Sequence, residues 1–228
     1  MGTRYFTPKL FWFLRELAAN NDREWFTAHK SDYETHLREP ALRFITDLVE
    51  PFSRISSHFT VEASKVGGSL VRIQRDTRFS RDSSPYRTYL GIGIRHERFE
   101  EVHTPRFYLV IQPRASYLGV GSWRPDAQTA HEIRLAVSER PDSWEAAVGS
   151  DGFSQHFTLE GESLKRPPRG FEPDHPLIAY LQRKDFAAVT RFNQRDITSD
   201  GFLDQFVARC EEAAPLAEFL CQGVGVEF

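Results

Sequence analysis

The segment from residue 75 to residue 87, RDTRFSRDSSPYR, carries the side chains of this sequence best suited to chemistry. A guanidinium group is planar, stays charged when partly buried and binds the oxygens of phosphates and carboxylates in pairs. Arginines in and beside this segment are therefore predicted to contact an anion: Arg72, Arg75, Arg78 and Arg87. Neighbouring side chains are predicted to complete the ligand site: Phe79, Ser80 and Tyr86.

Two aspartates lie among these arginines. Asp76 and Asp82 can either orient a guanidinium group for a ligand or neutralise it. If the protein is an enzyme, these carboxylates are the predicted catalytic groups, acting as acid or base while an arginine stabilises developing charge. The sequence thus favours a pocket for a small phosphate- or carboxylate-bearing molecule and leaves any reaction open.

The charge distribution supports a local anion site. The stretch from Lys65 to Arg98 contains eight basic and three acidic residues, whereas the whole chain of 228 residues has a net charge of −3. A basic patch on an acidic body suits a small anion better than a surface that coats nucleic acid. We therefore expect a small anionic partner and do not expect nucleic acid.

Two other functions fit the same segment. Alternating arginine and aspartate also form salt-bridge networks that only fix a long loop, in which case the protein acts through a protein partner on another surface. In the other alternative, Phe79 and Tyr86 stack on the bases of single-stranded nucleic acid. The overall acidity counts against this last function.

Three further positions are candidate ligand contacts. Trp25 and His29 are four residues apart and share a helix face, although Trp25 also suits a core position. Trp123 in GVGSWRP follows two glycines that allow close approach to the backbone, and a packing role for it fits equally well. Lys165 in LKRPPRGF adds a cation on a proline-bearing loop, or is simply solvated.

Several classes of site have no motif in this sequence. The eight histidines and two cysteines show no HExxH or CxxC spacing, so we expect no metal site. There is no GxSxG elbow, P-loop or complete dinucleotide-binding motif, and we predict no cofactor. The start MGTRYFTPKLFWFL has no signal-peptide pattern, and no apolar run could span a bilayer, so we expect a cytoplasmic protein without a membrane partner.

The pattern of elements predicts one α+β domain over residues 1–228, with a largely antiparallel sheet flanked by N-terminal and C-terminal helices. Residues 1–58 are predicted to be helical, with starts at Pro8, Asp22 and Pro40. Residues 65–123 alternate apolar and polar side chains and are predicted to supply strands at 68–75, 88–97, 106–113 and 117–123. Residues 126–228 are predicted to be helical or mixed, with a loop at 159–176 and a strand at 185–192. The last helix is predicted to be capped by Ser199 and to end at Pro215.

Five motifs together resemble one protein family. They are NNDREWF (20–26), RIQRDTRFSRDSSPYR (72–87), FYLVIQP (107–113), GVGSWRP (119–125) and LKRPPRGF (164–171). In this order and spacing they resemble the family catalogued as domain of unknown function 2461, over roughly residues 5–220. Ser83 and Arg87 stand where that family more often has lysine. The resemblance implies which residues to examine and implies no established activity.

Overall fold

In the computed structural model, which describes residues 2–78 and 82–228, the chain has an α+β fold built on one antiparallel sheet. The described strands are β1 (Phe59–Thr60), β2 (Leu90–His96), β3 (Arg106–Ile111), β4 (Ser116–Ser122), β5 (Thr158–Glu160) and β6 (Phe186–Phe192). Their order across the sheet is β1-β2-β3-β4-β6-β5. The predicted fold class is confirmed.

Helices precede and follow the sheet strands along the chain. Before the sheet come α1 (Pro8–Ala19), α2 (Arg23–Ala28), α3 (Lys30–Tyr33), a π-helical turn (Glu34–Arg38) and α4 (Glu39–Ser53). After β4 come α5 (Ala127–Glu139), α6 (Pro141–Gly149), α7 (Asp151–His156), α8 (Ile178–Leu181), α9 (Gln194–Ile197) and α10 (Phe202–Gly223). Caps explain two of these starts, because the carboxylates of Asp22 and Asp126 accept the backbone N–H groups of Trp25 and Thr129.

One face of the sheet packs against the helices. Successive side chains of a strand point to opposite faces, and the inward set on β3 is Phe107, Leu109 and Ile111, all fully buried. Phe107 packs edge-on against Phe52 of α4. The opposite set on β3 is Arg106, Tyr108 and Val110. We call this second side of the sheet the open face.

The hydrophobic core is contiguous. Buried side chains from Tyr5 to Val226 form one cluster that includes residues of the N-terminal helices, the sheet and α10. The assignment of one domain to residues 1–228 stays a prediction.

Two predicted boundaries near the sheet are wrong. Residues 68–75 do not form a regular strand but make isolated bridges, Leu70 to Ile92 and Gln74 to Tyr86, because the segment pairs with β2 only around Leu70 and then pairs with the end of its own loop. The short strand β5 lies partly inside the stretch 159–176 that the sequence predicts as loop. Its pairing with β6 is a long-range contact, which cannot be predicted from local composition.

The predicted end of the last helix is also wrong. Helix α10 begins after Gly201, not at a Ser199 cap, and continues through Pro215 to Gly223. Proline removes one helical hydrogen bond, but Leu216, Ala217 and Leu220 beyond it are fully buried. The burial of this face outweighs the local cost.

Substituting Pro215 by alanine is expected to stabilise the protein. Pro215 is exposed, and alanine restores an N–H donor at a helix-interior position where proline costs about 3 kcal/mol. The unfolded chain regains entropy worth up to about 1 kcal/mol, so the expected net gain is about 1 to 2 kcal/mol. Urea unfolding of P215A measures it, with the exposed Glu211→Ala change in the same helix as control. A P215A variant less stable than wild type would contradict this account of α10.

Candidate functional site

The candidate site lies on the open face, where three adjacent strands align two rows of residues. In one row Gly93, Tyr108 and Gly119 are direct neighbours on β2, β3 and β4. In the next row Arg95 of β2 lies directly opposite Arg106 of β3. The register therefore places a tyrosine between two glycines, beside a pair of arginines.

The glycines leave room into which the aromatic side chains settle. A Cβ atom on Gly91 would lie 2.8 Å from the hydroxyl of Tyr108, and one on Gly93 would lie 3.4 Å from its ring. A Cβ on Gly119 would lie 2.6 Å from the far edge of the Trp123 ring. The two rings thus lie against bare backbone, and a side chain at either Gly91 or Gly119 would displace them.

These residues form a cavity of about 380 Å³, which we call the open-face cavity. Small-molecule sites are typically clefts of roughly 300 to 1,000 Å³. Its lining, taken from the described residues, consists of Val71, Arg87, Arg95, Arg106, Tyr108, Tyr117 and Trp123. That lining contains three cations and, within residues 2–78 and 82–228, no carboxylate.

Two of the three cations in the cavity lining, Arg95 and Arg106, are exposed side chains that oppose each other across β2 and β3. Like charges directly opposite each other across two strands destabilise the pairing. Neither Arg95 nor Arg106 has a carboxylate within salt-bridge distance among the residues that the structure describes. The Arg95 guanidinium lies 5.0 Å from the centre of the Phe99 ring. An anion between the two guanidinium groups would relieve their repulsion.

The third arginine is held by hydrogen bonds from the side. Arg87 donates from Nε to the carbonyl oxygen of Arg72 at 3.1 Å and from a terminal nitrogen to the hydroxyl of Tyr89 at 3.4 Å. These partners are neutral, so they fix the side chain without cancelling its charge. Arg87 therefore contributes an oriented cation to the cavity.

The tyrosines remain protonated at neutral pH. Burial, followed by a hydrogen bond with Tyr89, raises the pKa of Tyr108 above its usual value. Burial is also the largest cause that raises the pKa of Tyr117. Both phenols are therefore available as neutral hydrogen-bond donors or acceptors and add no negative charge.

A second hollow of about 320 Å³ shares Arg95 and Arg106 with the open-face cavity. Phe99, His103 and Thr104 complete its lining. Burial first, and then the charge of Arg106, lower the pKa of His103, so this imidazole is neutral near pH 7. The arginine pair thus stands at the junction of two hollows.

The loop predicted as the anion site has its own ion pairs. Arg75 pairs with Asp82, and Arg78 pairs with Asp76 at 2.6 Å. The hydrogen bond from Arg78 lowers the pKa of Asp76, and hydrogen bonds from Ser84, followed by the bond from Arg75, lower that of Asp82. Because general acids and bases work best with a pKa near the working pH, these carboxylates are poorly matched to proton transfer at neutral pH. Their catalytic role stays a prediction.

The remaining loop positions divide between cavity, core and solvent. Arg87 lines the open-face cavity, and all four predicted arginines, Arg72, Arg75, Arg78 and Arg87, border a neighbouring hollow of about 660 Å³ together with Arg95. The Tyr86 ring is buried and stacks on Phe26 with centroids 4.1 Å apart. The predicted contacts Phe79 and Ser80 lie outside the described residues.

The three candidates from other segments have different environments. Trp123 lines the open-face cavity. Trp25 packs on Phe13 and stacks with His29 at 4.1 Å, so this pair is committed to contacts in the helical layer. Lys165 is exposed in the loop that follows β5. Of the predicted ligand contacts, Arg87 and Trp123 are the ones that the structure brings together in this cavity.

Sequence reasoning missed Arg95, Arg106, Tyr108 and Tyr117. The alternation along 106–111 already assigns Arg106 and Tyr108 to the polar side of a strand, and Gly91 and Gly93 indicate close approach to the backbone. What the sequence does not contain is the β2–β3 register that sets Arg95 opposite Arg106. Together those signals could have suggested the open face.

Two further classes of site can be assessed directly. Over residues 2–78 and 82–228, no group of three or more histidine, cysteine, aspartate or glutamate side chains is placed to hold a metal ion. Of the helices in that same part of the chain, none has the length and apolar character needed to cross a bilayer.

Comparison with known proteins gives one match. The family model described as "Conserved hypothetical protein (DUF2461)" matches residues 9–219. No curated protein and no solved structure matches the chain.

Substituting Gly119 by alanine is expected to displace the Trp123 ring. The new methyl group would stand 2.6 Å from that ring, and overpacking of this kind costs about 1 to 3 kcal/mol. Tryptophan fluorescence and urea unfolding measure the two effects. Gly149→Ala is the matched control because a Cβ there meets nothing within 4 Å. An unchanged spectrum and unchanged stability in G119A would show that the ring does not rest on β4.

Proposed function

The chain belongs to the family of conserved hypothetical proteins DUF2461, and we propose that it binds a small phosphate- or carboxylate-bearing molecule in the open-face cavity. One observation carries the proposal: Arg95 and Arg106 are directly opposed on the open face and lack a carboxylate partner in the described chain. A protein accepts such repulsion where function requires it. The anion would lie between these two guanidinium groups.

The surroundings of the pair support a site for a small molecule. The cavity volume of about 380 Å³ and its mixed aromatic and cationic lining are typical of such sites. Arg87 adds a third positive charge, and Tyr108 and Tyr117 supply neutral hydroxyl groups. A few polar groups that converge on one hollow can fix the orientation of a ligand.

The loop 75–87 has a supporting role in this proposal. Its ion pairs, Arg75 with Asp82 and Arg78 with Asp76, favour the salt-bridge function that the sequence left open as an alternative. The backbone of the loop is attached to its surroundings, since Arg87 N donates to the carbonyl of Ile73 at 2.7 Å. The loop would then hold Arg87 at the cavity rather than bind the anion with all its arginines.

Single-stranded nucleic acid is a weaker candidate. The ring of Tyr86, one of the two aromatic groups predicted to stack on bases, is occupied by Phe26. The open-face cavity has a volume of about 380 Å³, which is the size of a small-molecule site, whereas successive bases of a single strand need a longer surface. A small anion fits these features better.

Removing either opposed arginine is expected to raise the stability of the empty protein and to abolish its stabilisation by anions. Arg95→Gln and Arg106→Gln each relieve like-charge repulsion, which is worth about 0.2 to 1 kcal/mol at low salt. In wild type, a ligand at about 100 times its Kd adds about 2.7 kcal/mol. Thermal unfolding at low ionic strength, with inorganic phosphate, sugar phosphates, nucleotides and carboxylic acids, measures both effects.

Arg191→Gln is the matched control for those variants. Arg191 also belongs to the open-face set of its strand, where it is opposite Tyr117, but it pairs with Glu160 at 2.6 Å. R191Q should keep the response to anions and gain no stability. If no anion stabilises wild type more than R106Q, the proposed function is wrong.

Breaking the Arg75–Asp82 pair is expected to loosen the loop without removing anion binding. Arg75→Ala and Asp82→Asn should each increase the rate of proteolytic cleavage within residues 75–87, because each leaves the other member without this partner. Stabilisation by anions should persist at a somewhat higher ligand concentration. The reverse result, normal proteolysis with lost anion response in R75A, would assign the anion to the loop instead.

A further inference from the structure

Two kinds of side chain line the open-face cavity. Arg95 and Arg106 are cationic and stand at the junction with the second hollow. The other lining groups include three aromatic side chains, Tyr108, Tyr117 and Trp123. A simple inorganic anion would use only the cationic groups.

Two of the aromatic side chains, Tyr108 and Trp123, lie against the sheet backbone. Tyr108 lies over Gly91 and Gly93, and the Trp123 ring lies over Gly119. Because glycines have no side chains that would separate these rings from the backbone, the rings lie close to the sheet. We call the base that they form the floor of the cavity. Flat ligand groups fit against such a floor.

The arginines that line the cavity also favour a ligand with an aromatic ring. A guanidinium group stacks on the face of an aromatic ring and gains attraction from its quadrupole. Such contacts already occur at this site, since Arg87 lies 5.9 Å from the centre of the Tyr89 ring and Arg95 lies 5.0 Å from that of Phe99. An aliphatic guest of the same size and charge would gain neither stacking nor the cation–π contact.

We propose that the ligand of the open-face cavity carries an aromatic or heteroaromatic ring attached to its anionic group, with the anion between Arg95 and Arg106 and the ring on the floor of Tyr108, Tyr117 and Trp123. This inference rests on the proposed function, because it places the anion at the same arginine pair. It narrows the ligand class from small anions in general to aryl phosphates and aryl carboxylates. Heteroaromatic phosphates and carboxylates belong to the same class.

Matched pairs of ligands test the inference on the wild-type chain. Phenyl phosphate is compared with cyclohexyl phosphate, and benzoate with cyclohexanecarboxylate, by isothermal titration calorimetry. Each pair shares the anion and differs only in the aromaticity of the ring. Since aromatic contacts add to the effect of buried area, we expect the aryl member to bind about three- to tenfold more tightly.

Substitutions of the aromatic lining residues test which side chains cause the preference for aryl ligands. In Trp123→Leu and Tyr117→Leu the ratio of aryl to cyclohexyl affinity should fall towards one, whereas in the control Arg191→Gln it should equal that of wild type. Near-UV circular dichroism checks that each variant keeps its tertiary structure. If one of the two leucine variants does not fold, the other still gives the result.

The outcomes separate this inference from the proposed function. Equal affinity for aryl and cyclohexyl anions in wild type, with both lost in R106Q, overturns the aromatic class and leaves the anion site standing. An aryl preference that survives in both leucine variants would show that the Tyr117 and Trp123 rings do not cause it. Absence of binding by all four ligands overturns this inference, and the proposed function is also wrong if sugar phosphates and nucleotides stabilise wild type no more than R106Q.

Discussion

The register between β2 and β3 is the constraint on which the site depends. Leu90, Ile92 and Ile94 of β2 pair with Ile111, Leu109 and Phe107 of β3, and all six side chains are buried against the helices. A slip by one residue would turn this whole set to the other face. The core therefore fixes the register, and the register in turn holds Arg95 opposite Arg106. Repulsion between two charges is small beside the burial of six large apolar side chains.

The same register gives the site its shape as well as its charge. Tyr108 lies between Gly93 and Gly119 because β3 is the middle of three paired strands. The neighbouring row, Arg95 and Arg106, continues to Gly121 on β4, so a small residue also borders the arginines. A hollow floor and a cationic edge thus follow from one alignment. A larger side chain at these glycine positions would fill the space that the aromatic rings occupy.

Much of the fold could be predicted from the sequence because local signals agree with the final structure. The aspartates at 22 and 126 cap helices, and the period of two along β3 separates Phe107 and Leu109 from Arg106 and Tyr108. The failures occur where distant contacts decide. Packing carries α10 through Pro215, and pairing with β6 makes a strand at 158–160 out of a polar stretch. Neither effect can be predicted from local composition.

The site was harder to predict for the same reason. Arg87 and Trp123 were identified from their own neighbourhoods, but Arg95 and Arg106 are separated by a connection whose length does not specify which residues of the two strands will face each other. The number of arginines in a segment also does not determine the electrostatic potential around it. Arg75 and Arg78 stand in the richest segment, yet each has an adjacent carboxylate that offsets its charge.

Position relative to carboxylates therefore decides which arginines attract an anion. The open-face cavity has three guanidinium groups and no carboxylate in its described lining, so their potentials add over a concave surface. In the loop, the described pairs Arg75 with Asp82 and Arg78 with Asp76 each combine opposite charges, so their potential falls off quickly with distance. Arg95 and Arg106 come from separate strands and are brought together by hydrophobic packing on the far side of the sheet, and no carboxylate in the described lining of the cavity offsets their charge.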